Sequence, residues 1–433
     1  MADAASRLKS LVEQLLGAPL PVRIRAWDGS QAGPPDAPAL VVRNRRAVRR
    51  LLWKPGELGL ARAWVAGDLD IEGDLYATLD LMAELVWERG EDARSLPQML
   101  RDPEVRAAVR GLVKIAGLPL PPAPPREEVR KVRHLHTRRT DKRAISHHYD
   151  VGNDFYEIVL GPSMVYSCAY WPSPDATLER AQHDKLELVC RKLGLTEGQR
   201  LLDVGCGWGS MAVHAAREHG VNVVGITLSH EQAAYARKRV ADAGLTDRVE
   251  VRVQDYRDVA DGPYDAVSSI GMAEHVGADR YLEYAENLHR LLRPGGRLLN
   301  HQIARRPQRD ESAYDVDEFI DAYVFPDGEL APLGTTVTQL ERAGFEVRDV
   351  ESIREHYGLT LRRWVTNLEA QWPRAMRLAG PGRARVWRLY MAACALAFEH
   401  NRIGVNQVLA VRTPEDGGSG MPLRARTWGA DPS

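Results

Sequence analysis

Apolar residues at Leu8, Leu11, Val12, Leu15 and Leu16 recur at three- and four-residue intervals, which predicts an amphipathic helix within residues 1–17. Strand-like stretches follow at Val22-Arg23-Ile24-Arg25 and Ala39-Leu40-Val41-Val42, with further helical pattern up to about residue 118. The run Pro119-Leu120-Pro121-Pro122-Ala123-Pro124-Pro125 cannot hold a helix, because proline has no amide hydrogen to give, so it predicts a stiff extended linker. From residue 200 the pattern becomes strand, turn and helix in repetition. Strands are predicted at 200–204, 221–226, 249–253, 264–270 and 297–303, and a last one at 404–411. Between them a helix fits 229–243, with Ser229 as its N-cap and Gly244 as its stop. Alternation of this kind predicts an α/β fold whose parallel sheet is covered on both faces.

Length and composition narrow the class. At ~150 residues per domain, 433 residues suggest two or three folded units. With 44% hydrophobic and 27% charged residues, wholesale disorder and fibrous architecture are excluded. The expected organisation is an α+β domain over 1–118, a Pro-rich and then basic linker over 119–143, and a larger domain over 144–411. A lid-like insertion is read at 304–332 and a flexible polar tail at 412–433.

Charge adds little globally, since 58 Lys+Arg nearly cancel 59 Asp+Glu. Locally, Arg43, Arg45, Arg46, Arg49 and Arg50 cluster near Trp53, and residues 126–143 carry eight Lys/Arg against three acids. Both stretches read either as contacts for anionic headgroups or as a solvated helix face and an inert linker. No aromatic residue interleaves with the charges of 126–143, which argues against single-stranded nucleic acid. The four cysteines, Cys168, Cys190, Cys206 and Cys394, form no CxxC pair, so no zinc or redox motif is read and a reducing, cytoplasmic setting is expected. No run of ~18 apolar residues occurs, so any lipid is met peripherally, at the inner membrane face.

The most informative segment is Leu201-Leu202-Asp203-Val204-Gly205-Cys206-Gly207-Trp208-Gly209, a buried strand entering a glycine turn at a helix start. Glycines let backbone approach a ligand, and the helix start offers free N–H groups. A dinucleotide fingerprint needs GxGxxG and an acid closing the second strand; here the spacing is GxGxG and that strand ends Gly225-Ile226-Thr227. Asp203 would repel a pyrophosphate but suits a cationic amino group. S-adenosylmethionine has that group and no phosphate, so the turn points to a Rossmann-like methyltransferase; a purely structural tight turn is the competing reading. Asp255 and Tyr256 follow the third strand, where an adenine amine and ring would lie.

Further motifs sharpen this: His147-His148-Tyr149-Asp150-Val151-Gly152-Asn153, Met164-Val165-Tyr166-Ser167-Cys168-Ala169-Tyr170, the glycine turn, and Gly271-Met272-Ala273-Glu274-His275-Val276-Gly277. In this order they resemble the cyclopropane-fatty-acyl-phospholipid synthase family over roughly residues 140–411. The resemblance implies a class I methyltransferase domain with a mostly parallel seven-stranded sheet, a smaller N-terminal α+β domain as in longer family members, and a homodimer. It implies that Tyr149, Tyr166, Ser167, Asp203, Gly205, Cys206, Gly207, Thr227, Leu228, Gln232, Asp255 and Tyr256 serve the S-adenosyl-L-methionine site. It further implies a bicarbonate beside the reacting carbon, held by Cys168, Glu274, His301, Tyr323 and the backbone of Ile303. His356 and Tyr357 match another family segment, read as pocket wall.

The implied reaction passes the methyl carbon to the cis double bond of an unsaturated phospholipid acyl chain. An alkene is a weak nucleophile and must be positioned in a dry pocket; the resulting carbocation then needs a base that does not bond to carbon. Proton loss from the new methyl closes a cyclopropane, while loss after a hydride shift gives a mid-chain methylene branch. A small-molecule or sterol methyltransferase and a non-catalytic lipid-binding scaffold are the rivals. Plainer roles also stand for single residues: Cys168 as a core thiol, Glu274 as a helix-start carboxylate and His301 as a core histidine.

Overall fold

The computed structural model describes residues 3–87, 102–117, 120–129, 151–311, 314, 316–326 and 328–423. It falls into two units that do not follow the chain order: residues 1–131, 317–324 and 379–396 form the first, and 132–316, 325–378 and 397–433 the second. The segment read as one insertion, 304–332, is thus shared between the two. Most of the basic stretch 126–143, Tyr149 and the last ten residues lie outside the described residues.

In the first unit, Asp3 accepts the amide hydrogen of Ser6 at 2.8 Å and caps the helix Ala4–Leu16, which stops at Gly17 in the left-handed region. The helix Pro103–Ala116 lies against it so closely that a Cβ on Gly111 would sit 2.7 Å from Leu11 Cδ2. Four short strands, β1 (Arg23–Arg25), β2 (Gln31–Ala32), β3 (Ala39–Val42) and β4 (Leu69–Glu72), form a sheet in the order β2-β1-β3-β4. Leu8, Ile24, Val42, Val48, Leu69 and Leu112 build its core.

The arginine cluster is spent inside this unit. Arg50 is buried and paired with buried Asp68 at 2.9 Å, and also donates to the carbonyl of Ala123 in the proline-rich stretch. Arg46 reaches Asp68, Arg43 pairs with Asp70, Arg49 donates to the carbonyl of Ala116 at a helix end, and Arg45 lies over the Trp27 ring. Arg43, Arg45 and Arg46 stay exposed, as a solvated face would have them, while Arg50 belongs to a buried internal pair. Among the described residues no helix is long and apolar enough to cross a membrane.

The second unit holds β5 (Arg200–Val204), β6 (Asn222–Thr227), β7 (Val249–Val253), β8 (Tyr264–Ile270), β9 (Leu292–Arg305), β10 (Glu346–Ser352) and β11 (Ile403–Val411), in the order β10-β11-β9-β8-β5-β6-β7. All neighbours are parallel except at β11, which runs antiparallel to both β9 and β10. Successive residues point to opposite faces, and each face has its own core: Leu201, Val223, Ala266 and Leu299 enter one, Leu202, Val224, Val267 and Leu298 the other. Helices 178–193, 210–219 and 230–242 cover the first face; 281–291 and 333–342 cover the second. That double burial is why these strands read as continuous apolar runs. The predicted tail differs in part: Met421 packs against the first core, and Arg297 donates to the carbonyl of Gly420.

Candidate active site

The carboxyl ends of the parallel strands are where a sheet of this kind binds its ligands, and a cleft of about 770 Å³ opens there. Gly205 and Gly207 after β5, Thr227 and Leu228 after β6, Gln232, and Asp255 and Tyr256 after β7 line it. Gly205, Gly207 and Gly209 all have positive φ, the conformation that lets the turn expose its amides. Thr227 Oγ1 donates to Gln232 Oε1 at 2.8 Å and accepts from the Ser229 amide, fixing the start of the following helix. Both oxygens of Asp255 are taken by Arg257, at 2.8 and 2.6 Å, so this carboxylate enters the cleft already paired. Gln254 and Arg280 also line the cleft and were not singled out from the sequence, whereas Met272 and His275 belong to the motif quoted around Glu274.

Several other expected cofactor residues do not line this cleft. Asp203 is 2% exposed and absent from the cleft wall. Its Oδ1 accepts from Ser268 at 2.8 Å, and burial pushes its carboxyl up to about 6 against that bond and the charge of Lys185. Its Oδ2 is buried without a partner among the described residues. Cys206 packs into the first core, its Sγ 3.1 Å from where a Gly225 Cβ would stand. Tyr166 stacks near Trp364, and Ser167 accepts from the wholly buried ammonium of Lys185 at 3.0 Å. Burial holds that ammonium down, at about 8.

Beside the cleft, a smaller cavity of about 240 Å³ is lined by Glu274, Tyr281, Gln302 and Ile303. The Ile303 amide donates to Glu274 Oε1 at 2.8 Å, while Oε2 is buried without a partner among the described residues. Burial raises this carboxyl to about 7, against the donation from Ile303. Two positions before Ile303 on β9, His301 is 2% exposed and leaves Nε2 without a partner among the described residues. Its tautomer follows from a chain of donors. Lys192 has only hydrogens to give and directs them to Gln407 Oε1 at 2.8 Å and to Glu351. The amide nitrogen of Gln407 then faces His301 Nδ1 at 3.3 Å, so Nδ1 accepts and Nε2 carries the proton. Burial, Lys185 and Lys192 hold this imidazole neutral. Lys192 and Gln407 were missed because such side chains ordinarily mark surface.

Cys168 is fully buried, with Sγ 3.2 Å from the carbonyl of Ala169 and 3.7 Å from that of Ile353; burial pushes its thiol well up despite Lys185. The segment is clamped to the helix Arg354–Ala370: Trp171 donates its amide to His356 Nδ1, and Ala169 and the Trp171 indole donate to Thr360 Oγ1. His356 therefore fixes the Cys168 segment. Tyr323 is buried. It belongs to the first unit, and its hydroxyl donates to Glu128, which Arg62 holds from the other side.

A family model described as mycolic acid cyclopropane synthetase matches residues 136–408. The chain belongs to this family. A probable fatty acid methyltransferase of Mycobacterium tuberculosis is 46% identical over 411 residues, covering 93% of this chain and 94% of the relative. The cyclopropane-fatty-acyl-phospholipid synthase of Escherichia coli is 38% identical over 270 residues, 62% of this chain and 68% of its own length. Among solved structures, the mycolic acid cyclopropane synthase CmaA1 with S-adenosylhomocysteine and CTAB matches with a TM-score of 0.59 at 34% identity, covering 62% of this chain and 98% of CmaA1. Membership makes the chain an S-adenosylmethionine-dependent methyltransferase of the cyclopropane-fatty-acyl-phospholipid synthase type, with the class I fold the sheet order displays.

Proposed function

We propose that the enzyme methylates the cis double bond of unsaturated phospholipid acyl chains and closes the product to a cyclopropane. The observation that carries this reading is that β9 holds, two positions apart, the His301 Nε2–H donor and the Ile303 amide that anchors Glu274, whose Oε2 is an acceptor without a partner among the described residues. One donor and one acceptor, both dry, fit a small hydroxylated oxyanion such as bicarbonate. Bound there, bicarbonate supplies a base that removes a proton without bonding to carbon.

The chain's own residues do the rest. The glycine turn and Gln232 seat the cofactor, and the buried surroundings of Glu274 and His301 keep water from a carbocation. His301 stays neutral and donates through Nε2, and Glu274 accepts a hydrogen bond in its ionised form. The tyrosine role first read at Tyr323 is assigned to Tyr357. That residue lies in the same unit as Glu274 and His301, four positions after Ile353, whose carbonyl faces Cys168. The test is to incubate purified protein with cofactor labelled at the methyl and vesicles of unsaturated phospholipid. Label in upfield ring protons supports the proposal, and vinylidene protons assign the methylene-branched product. Label on oxygen, nitrogen or sulfur overturns it, as does equal modification of saturated lipid.

A further inference from the structure

Away from this site, on the face of the second unit covered by helices 178–193 and 210–219, three donors of two kinds converge. Cys190 Sγ and one ring nitrogen each of His214 and His219 lie within 4.8 Å of one another. Glu187, one helical turn before Cys190, accepts from Nε2 of His214 at 3.3 Å and of His219 at 3.0 Å. Arg191 fixes Glu187 in turn at 2.7 Å. Cys190 and His214 are buried, whereas His219 forms the open end, its side chain 18% exposed.

We propose that Cys190, His214 and His219 form a binding site for a divalent ion of the zinc class, with Glu187 as its supporting carboxylate. A His–Glu hydrogen-bond cluster accounts for the two imidazoles and core packing for the burial of the thiol, but neither brings sulfur and both rings within 4.8 Å of one another. Thiolate with imidazole is the donor mixture zinc prefers, and metal-bound histidines ordinarily lean on a carboxylate. A tetrahedral zinc ion with bonds of ~2.0–2.3 Å holds its donors roughly 3.3–3.8 Å apart, so closing the present spacing takes an inward movement of about 1 Å. Cys190 shares its core with Val189, Leu193, Met211 and Ala215, and His219 is the most exposed of the three donors, so entry is past His219. On binding, the sulfur–metal bond forms as the thiol proton passes to solvent, and the fourth position is open to water. The ion ties the end of helix 178–193 to the helix that starts at the glycine turn, a structural clamp apart from the reacting groups.

The test uses the full-length chain freed of metal by a chelator, then titrated with cobalt(II) as an optical probe and with zinc as competitor. One equivalent should bind with a cobalt–thiolate charge-transfer band, displaced by zinc, and zinc should raise the melting temperature. Cys190→Ser should abolish the band. Because that side chain is buried, His219→Asn at the open end and Glu187→Gln provide the second line: each should weaken zinc binding by about 10–100-fold. His219→Asn should leave metal-free methyl transfer unchanged. Absence of saturable binding by the unaltered chain, or binding without a thiolate band that survives His219→Asn, overturns the proposal.

Discussion

Gln407 presents its side-chain amide nitrogen to Nδ1 of His301 at 3.3 Å, and Lys192 orients that amide by holding its oxygen at 2.8 Å. Two buried residues on two elements thus decide which ring nitrogen of His301 carries its proton. Gln407→Glu places an acceptor beside Nδ1, draws the proton there and leaves Nε2 bare. We expect kcat to fall by about 10²-fold or more with cofactor affinity unchanged, since a wrong tautomer costs that much where a histidine must donate or accept in a fixed sense. Initial rates against bicarbonate, with cofactor binding by calorimetry, check it; an unaltered rate would remove Gln407 from the mechanism.

Glu274 gives a pH signature. Burial lifts its carboxyl to about 7, and the proposed role needs the ionised form, so kcat at fixed bicarbonate concentration should rise with pH through about 7. Glu274→Gln keeps the bond from Ile303 through its amide oxygen but should lose most of the rate and flatten the profile, with cofactor binding intact. Stability moves the other way. The folded chain retains a proton that the unfolded chain releases above about 4.5, so the folded state loses stability as pH rises from about 4.5 to about 7. Urea midpoints across that window should show this fall for Glu274 and not for the Gln variant.

The sheet was legible because its strands are buried on both faces. β5, β7 and β8 fall where the apolar runs predicted, and β6, β9 and β11 differ only at their ends. β10 was not legible: Glu346, Arg348, Asp349 and Glu351 break any apolar run, which a strand pairing on one side only can tolerate. The glycine turn was readable from spacing, since positive φ leaves little choice of residue. Asp203 was readable as a special position, a buried carboxylate just before the turn. Lys185, Lys192 and Gln407 carry no local signal, because their burial depends on partners 18 to 215 positions away. The assignment of 317–324 and 379–396 to the first unit is likewise a matter of long-range packing, invisible to a local pattern.

Two tyrosines separate the sequence reading from the structural one. Tyr323→Phe removes a hydroxyl that donates to Glu128, a bond to a charged partner that stabilises by about 1.5–3 kcal/mol. It should lower the unfolding midpoint and leave kcat within about twofold, as expected of a residue outside the transition state. Tyr357→Phe should do the reverse, lowering kcat with less effect on stability. Thermal unfolding and steady-state rates on both variants decide, and a rate loss confined to Tyr323→Phe would return the role to that residue.

The fate of the arginine cluster makes the last prediction. Arg50 and Asp68 are 8% and 1% exposed and 2.9 Å apart, so the pair is desolvated and neither member can fall back on water. Arg50→Gln strands the Asp68 carboxylate with Asn44 and the outer Arg46 alone, and should destabilise the protein by about 3–5 kcal/mol. Arg45, exposed over Trp27 at 5.7 Å, should cost under about 1 kcal/mol when changed to Gln. If the cluster served lipid instead, Arg45→Gln would weaken sedimentation with anionic vesicles while stability held. Because four of the five arginines are tied to acids or carbonyls of their own unit, we expect Arg45→Gln to leave vesicle binding unchanged, and chemical denaturation to single out Arg50.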